Sequence, residues 1–353
     1  MTVRVAINGF GRIGRMVYRR ALEFSDVELV AVNGTADVAT LAHLLKYDTV
    51  HGTWSRDVAL TDTGWRVGDR HTRVFSTRNP EELPWGDLEV DVVIESTGQF
   101  RTRDTAGVHL RQGAKRVIIS APAKTEADAD VTLVMGVNHH VFRPDQHRIV
   151  SGASCTTNCL APLVKALHEA FGVDSGLVTT VHAYTNDQRS LDNPHKDLRR
   201  ARACGQSIIP TSTGAAKAIG LVLPELKGKL NGISLRVPTP NVSIVDLVAD
   251  VRRDVTVDGV NDALRRAAQG SLNGILGFSD EPLVSSDFNG DARSAIVDGL
   301  TTMVQGDRRV KVLAWYDNEW GYACRMVDLA RWVGGREAEW TAVEPVAAST
   351  LSV

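Results

Sequence analysis

Apolar residues recur along this chain in two rhythms. Up to about residue 154, short apolar runs alternate with stretches of helical period. The runs are Val3-Arg-Val-Ala-Ile7, Val27-Glu-Leu-Val-Ala-Val32, the segment from Asp91 to Gly98, Lys115 to Pro122, Val131 to Met135 and Arg148 to Ser151. Helical spacing fills Arg15 to about Phe24 and Val38 to Leu45. Buried strands alternating with helices predict a parallel sheet. Between Thr53 and Pro84, polar and apolar residues alternate around Gly and Asp turns, which predicts small strands and loops. Beyond residue 155 the strands are longer and follow one another more directly: Gly176 to Tyr184, Gly232 to Pro238, Ser243 to Val251 and Arg309 to Tyr316. That pattern predicts a mainly antiparallel second sheet. Helices over about Gly214–Leu223 and Thr256–Gln269 cover it, and a last helix spans Gly321–Trp332.

The first strand runs into Asn8-Gly9-Phe-Gly11-Arg-Ile-Gly14, and a helix follows. This is G-x-G-x-x-G in its required setting of strand, tight turn and helix. The glycines let backbone approach a pyrophosphate seated on the helix N-terminus. The predicted fold class is therefore α/β plus α+β, a Rossmann-type parallel sheet followed by a mainly antiparallel catalytic domain. The expected boundaries are 1–154 for dinucleotide binding, completed by the helix at about 320–333, and 155–319 for catalysis. Residues 334–353 are Ala/Glu/Pro-rich and read as a loose tail.

An acid is expected at the tip of the second strand, about 20 residues after the glycines, to hold the ribose 2′-hydroxyl. The chain reads Val32-Asn33-Gly34-Thr35-Ala36 there, with no carboxylate. Asp37 follows, and it reads as the N-cap of the helix from Val38. A missing acid removes a contact to the 2′-hydroxyl and also removes repulsion against a 2′-phosphate. Gly34 leaves space, Thr35 offers a hydroxyl and Arg78 offers positive charge. The Ser96-Thr97-Gly98 turn, which ends another strand, is expected beside the nicotinamide half of the cofactor.

Composition narrows the classes. Apolar content is 43%, charged content 23% and net charge -2, so nothing draws the chain toward nucleic acid or an anionic membrane. No apolar run approaches the ~18 residues of a membrane span. The chain enters a strand at once, so no signal peptide is expected. Four cysteines in 353 residues do not make a disulfide scaffold. Cys155 and Cys159 lack the companions of a zinc site, and no metal is expected. The expectation is a reduced, cytoplasmic protein.

The stretch Ser151-Gly-Ala-Ser-Cys-Thr-Thr-Asn-Cys159 places Cys155 among small residues and hydroxyls at the start of a helix. A helix N-terminus favours thiolate. His182, inside an apolar strand, is its candidate partner. A nucleophilic thiol with histidine fits a thiol hydrolase or an acyl-transferring dehydrogenase, and the glycine motif selects the latter. A thiolate adds to an aldehyde, hydride leaves to nicotinamide, and a thioester remains. His182 and the Cys155 N–H stabilise the oxyanion. Ser154, Thr156, Thr185, Thr211 to Gly214, Arg199, Arg200 and Arg236 supply groups suited to phosphate oxygens.

Together these motifs resemble phosphorylating glyceraldehyde-3-phosphate dehydrogenase. The matching stretches are Ile7 to Arg15, Leu41 to Asp48, Ala153 to Cys159, Val181 to Gln188, Asp197 to Arg202, Ile208 to Ala218, Arg236 to Pro238 and Trp315 to Tyr322. The resemblance implies reversible oxidative phosphorylation of glyceraldehyde 3-phosphate to 1,3-bisphosphoglycerate, in glycolysis or gluconeogenesis. It implies Cys155 as nucleophile and His182 as base and oxyanion partner. It assigns Thr185, Arg236 and nearby Arg200 to the substrate phosphate, and Ser154, Thr156, Thr213 and Gly214 to inorganic phosphate. Arg12, Ile13, Arg78, Ser120 and Asn318 join Gly9, Gly11, Gly14, Gly34, Thr35 and Thr97 around the dinucleotide. It further implies a homotetramer in which Tyr184 to Ala203 reaches a neighbour's cofactor site.

Two departures bear on the cofactor. NAD-specific members carry Asp where this chain has Gly34, and they often carry Leu-Pro where it has Asn193-Pro194. The chain thus resembles NADP-using or dual-cofactor bacterial members. The tail has no cysteine for the redox switch of the chloroplast relative. Erythrose-4-phosphate dehydrogenase is the nearest rival, but such relatives lose the threonine of His-Ala-Tyr-Thr and the Thr-Gly-Ala-Ala pattern, both intact here as Thr185 and Thr213-Gly214. A non-catalytic binding protein on the same scaffold would not need the Cys155/His182 pair.

Overall fold

The computed structural model describes residues 2–335, so the tail expected over 334–353 lies, apart from two glycines, outside the described residues. The first half contributes β1 (Val3–Asn8), β2 (Val27–Gly34), β3 (Ala59–Thr61), β4 (Gly64–Val67), β5 (Arg70–Ser76), β6 (Val92–Glu95), β7 (Arg116–Ile119), β8 (Val131–Thr132) and β9 (Ile149–Ser151). Its helices are α1 (Arg12–Ala21), α2 (Val38–Lys46), α3 (Arg103–Ala106) and α4 (Val108–Arg111). The strands form one sheet in the order β3-β4-β5-β2-β1-β6-β7-β9-β8. Pairing is parallel from β5 to β8, and only the β3–β4–β5 meander is antiparallel. The chain moves from β1 to β2 on one side and later to β6 on the other. The crevice above β1 is therefore the switch point where such sheets bind ligands.

Local chemistry explains the element ends. Asp37 caps α2 by accepting from the Thr40 N–H (2.9 Å). Of the predicted Val131–Met135 strand only the first two residues pair, although Leu133, Val134 and Met135 are buried.

The second half contributes α5 (Cys155–Phe171), β10 (Val173–Ala183), β11 (Ile209–Ser212), α6 (Ala215–Val222), β12 (Leu230–Val237), β13 (Ser243–Val251), α7 (Val257–Gln269), β14 (Leu276–Ser279), β15 (Ala295–Asp298), β16 (Met303–Gln305), β17 (Arg309–Tyr316) and α8 (Trp320–Gly335). The sheet order is β11-β12-β10-β13-β17-β15-β14, with β16 on β17. It is mixed: β10–β12 and β14–β15 are parallel and the other pairs antiparallel. Both parallel pairs follow long connections, as parallel pairing requires.

Helix α5 is capped by Ser154, whose Oγ accepts from the Thr157 N–H, and it ends on Gly172 at φ 75°. Leu160, Leu163, Val164 and Leu167 bury its apolar face against β13, β15 and β17, with α6 and α7 alongside. Helix α8 returns to the first half and packs along α1 and over β1, β6 and β7.

Candidate active site

The turn into α5 sets the thiol. Ala153, just before the cap, adopts φ 56°, a left-handed conformation costly for alanine. Its surroundings hold it there. Tyr322 Oη donates to Ala153 O (2.8 Å), Asn158 Nδ2 to Gly152 O (2.9 Å), and the Ala153 N–H to Ser151 Oγ (3.2 Å). Cys155 is then the first residue of α5, half-buried where the two hydrophobic cores meet. Cys159, one turn on, is fully buried, and burial pushes its thiol well up.

Strand β10 carries His182 to the thiol, with Nε2 3.4 Å from Cys155 Sγ. In the parallel register of β10 with β12, His182 pairs with Arg236. Arg236 Nη1 lies 2.7 Å from His182 Nδ1 and 3.0 Å from the Ala183 carbonyl. Nδ1 also lies 2.6 Å from the Ala183 carbonyl, so a guanidinium that only donates and a carbonyl that only accepts compete for it, while Nε2 faces the sulfur. Burial, aided by the charges of Arg236 and Arg200, pushes His182 down to about 3, so the imidazole is neutral. The thiol differs from the sequence expectation. Burial raises it above its ordinary value and outweighs the Arg236 charge and the Thr156 hydrogen bonds that pull the other way. A helix terminus alone does not make this cysteine a thiolate.

The expected phosphate ligands are unevenly placed. The Ser154 hydroxyl caps α5 and meets Thr157 Oγ1 at 2.8 Å. Thr156 is buried with its hydroxyl on Tyr316 Oη (2.9 Å) rather than in the site. Thr213 Oγ1 accepts from the Ala215 N–H (3.2 Å) at the start of α6, beside exposed Gly214. The Thr185 N–H donates to Gln188 Oε1 (3.1 Å). Arg200 pairs with Asp187, and its Nε donates to Thr211 Oγ1 (3.0 Å). Arg236 Nε is buried without a partner, an orphan donor suited to an anion.

A cavity of about 370 Å3 opens over the ends of β1, β2 and β6. Gly9, Gly11, Gly34, Thr35, Arg78 and Thr97 line it, with Phe10, Leu41 and Phe100 as apolar walls. Arg12, Ile13, Gly14, Ser120 and Asn318 do not. Thr97 lines this cavity together with Gly34 and Arg78, and Cys155 is not among its walls. The glycine turn suits a dinucleotide. Gly9 sits at φ 97°, and a Cβ there would meet Thr97 backbone at 2.6 Å, while one on Gly14 would meet Gly9 O at 2.1 Å. The N-terminus of α1 opens onto this turn. None of the cavity walls is acidic. Among the described residues no group of three His, Cys, Asp or Glu is placed to hold a metal.

Several contributors escaped the sequence reading. Tyr316 braces the site from behind, bonding Thr156 and Thr180 (2.9 Å each) and setting its ring edge-on to His182 at 5.9 Å. The alternation of β17 was the available signal, since Val310, Val312, Ala314 and Tyr316 all face inward. The Arg12 side chain is held by Asp48 and Glu319, with His51 on Glu319 (2.9 Å), which ties α1 to the start of α8. Burial works against the Arg12 charge, but the two carboxylates raise it above its ordinary value. Asn318 accepts from Ser243 Oγ (2.7 Å), which in turn accepts from the Ala183 N–H (3.0 Å) beside His182.

Comparison with known proteins fits this geometry. The family model of the glyceraldehyde 3-phosphate dehydrogenase NAD binding domain matches residues 3–103, and that of the C-terminal domain matches 154–318. The chain is 58% identical over 343 residues to glyceraldehyde-3-phosphate dehydrogenase 2 of Bacillus subtilis, covering 97% of this chain and 100% of the relative. It is 59% identical over 336 residues to glyceraldehyde-3-phosphate dehydrogenase of Geobacillus stearothermophilus, covering 95% and 99%. It is 56% identical over 337 residues to glyceraldehyde-3-phosphate dehydrogenase 2 of Streptomyces avermitilis, covering 95% and 100%.

Proposed function

The chain belongs to the glyceraldehyde-3-phosphate dehydrogenase family and is an oxidoreductase acting on glyceraldehyde 3-phosphate; we propose that Cys155 is its nucleophile, that His182 stabilises the oxyanion, and that it uses NADP at least as well as NAD. The observation that carries the chemistry is the 3.4 Å contact between Cys155 Sγ and the Nε2 of a neutral, Arg236-bound His182. His182 Nε2 takes the Cys155 proton, and the Nε2–H so formed, with the Arg236 charge, stabilises the thiolate. The sulfur adds to the aldehyde carbon, and the new oxyanion takes hydrogen bonds from His182 Nε2–H and the Cys155 N–H. A bound nicotinamide would supply the hydride acceptor. The oxyanion collapses to a thioester on Cys155. Inorganic phosphate, received by Ser154, Thr213 and Gly214, attacks that carbonyl and releases the acyl phosphate with the thiolate restored. Orphan Arg236 Nε, with Arg200 and Thr185, receives the phosphate of the substrate.

Cofactor choice rests on Gly34 and Arg78. Both line one cavity without an acidic wall, and Arg78 has no hydrogen-bonding or ionic partner among the described residues. Asp37, three residues past Gly34 in the sequence, is engaged in capping α2. A 2′-phosphate would find space and a cation there, with no opposing charge. Initial rates with NADP+ and NAD+ test this, and a strong NAD+ preference sinks it.

The assembly is a homotetramer in this reading. The sheet face away from α5, α6 and α7 carries Leu177, Ile233 and Met303, exposed at 69%, 51% and 57%. Leu191, Leu198 and Ile208 stand out beside it at 77%, 81% and 68%. Apolar surface of this extent needs a partner. Light scattering on the purified chain gives four times its 38.3 kDa mass if the reading holds. All four cysteines are unpaired, which suits a reducing cytoplasm.

A further inference from the structure

A line of buried polar side chains runs under the dinucleotide cavity, across the ends of β5, β2, β1 and β6. It begins just past β5. The Thr77 N–H donates to Asn33 Oδ1 (3.1 Å), and Asn33 Nδ2 donates back to the Thr77 carbonyl (3.0 Å). Asn33 Nδ2 also donates to Asn8 Oδ1 (2.8 Å), and Asn8 Nδ2 donates to Glu95 Oε2 (2.5 Å). The other oxygen of Glu95 accepts from the N–H and the hydroxyl of Thr97. His109 Nε2 lies 3.1 Å from Glu95 Oε2, and Trp85 Nε1 donates to His109 Nδ1 (3.0 Å).

Every direction in this line is fixed. Indole only donates, so His109 Nδ1 accepts and its Nε2 carries the proton to Glu95. At the other end, a backbone N–H and a carbonyl decide which atom of the Asn33 amide is oxygen. Asn8 then has one orientation left. Asn33 is 5% exposed, Asn8 and Glu95 1%, and His109 0%, so a turned amide would leave buried donors facing donors. The peptide that Asn33 clamps is the one that bears Arg78. The Arg78 side chain is exposed and has no partner among the described residues, so its backbone alone sets where the guanidinium starts. The remaining bonds of this turn, from the Thr77 hydroxyl to Glu82 and Asn79, are solvent-exposed and weaker anchors.

We propose that Asn33 is a positioning residue for dinucleotide specificity: it clamps the Thr77–Arg78 peptide so that Arg78 faces the space left at Gly34, and the buried line through Asn8 to Glu95 keeps its amide in the one orientation that does so. The inference rests on the reading that Arg78 meets a 2′-phosphate.

A double-mutant cycle on the full chain tests it, with the NADP+ to NAD+ ratio of kcat/KM as readout. Arg78→Ala lowers the ratio about tenfold or more, the size of a lost charge-assisted hydrogen bond. Asn33→Ala lowers it about three- to tenfold through KM for NADP+, since the arginine stays but is no longer placed. In the Arg78→Ala background, Asn33→Ala leaves the ratio within about twofold, because its effect passes through an arginine already gone. A merely structural asparagine would lower thermal stability and both kcat/KM values alike, with the ratio unchanged, and that result overturns the inference. An effective Arg78→Ala beside a silent Asn33→Ala overturns the inference alone. A silent Arg78→Ala overturns it together with the cofactor reading. Should Asn33→Ala not fold, Asn33→Ser is measured in the same cycle and read in the same way.

Discussion

The thiol site and the β2 tip are built in opposite ways. Around Cys155 nearly every group is already engaged with a neighbour: His182 with Arg236, Thr156 with Tyr316, Ser154 with Thr157 and Arg200 with Asp187. At the β2 tip the decisive features are a missing side chain at Gly34 and an unengaged Arg78. The closed site is over-determined, so substitutions there remove chemistry without redirecting it. The open site leaves discrimination to one or two positions, so a substitution there redirects cofactor use and leaves the chemistry standing.

That contrast is sharpest at the nucleophile. Cys155→Ser lowers kcat by about 10⁴-fold or more, while dinucleotide affinity measured by fluorescence titration stays unchanged. His182→Asn follows, with kcat down about 10²- to 10⁴-fold and alkylation of Cys155 by iodoacetamide slowed. A changed NADP+ to NAD+ ratio in either variant would break the separation of the two regions. Gly34→Asp does the converse. A Cβ at Gly34 meets the tip of the Leu41 side chain at 2.7 Å, a contact relieved by rotating that side chain. The ratio of kcat/KM then moves toward NAD+ by about tenfold, with kcat for the preferred cofactor retained. An unmoved ratio would remove Gly34 from the account.

The smallest effect is on stability. His182 and His139 are pushed down to about 3 and about 4, in each case chiefly by burial. Between those values and the ordinary 6.5 the unfolded chain binds more protons than the native one. Stability is therefore full above about pH 6.5 and falls as pH drops below it, by at most about 1.4 kcal/mol per pH unit for His182 and by less for the partly exposed His139. Thermal melts between pH 7.5 and 5 show the decline, and His182→Asn makes it shallower.

Much of this was legible from local pattern. The strand–glycine–helix opening, the Asp37 cap, the approach of His182 to Cys155 and the bare tip at Gly34 each depend on neighbouring residues or on one strong motif. What sequence alone did not give depends on register between distant strands. The pairing of β10 with β12 puts Arg236 on His182, and β17 carries Tyr316 to Thr156. No periodicity encodes either match. Ala153 at φ 56° was hidden for a related reason, because the contacts that hold it include Tyr322, far along the chain on α8. The state of the thiol does not follow from its helix position, because burial at the meeting of two cores is a tertiary property.

The most direct test is initial-rate kinetics on the full chain with glyceraldehyde 3-phosphate, inorganic phosphate and each dinucleotide in turn. Phosphate-dependent reduction of NADP+ with kcat/KM equal to or above that for NAD+ is the predicted result. A kcat/KM for NAD+ far above that for NADP+ would contradict the reading of Gly34 and Arg78, and turnover that persists in Cys155→Ser would contradict the thiol chemistry itself.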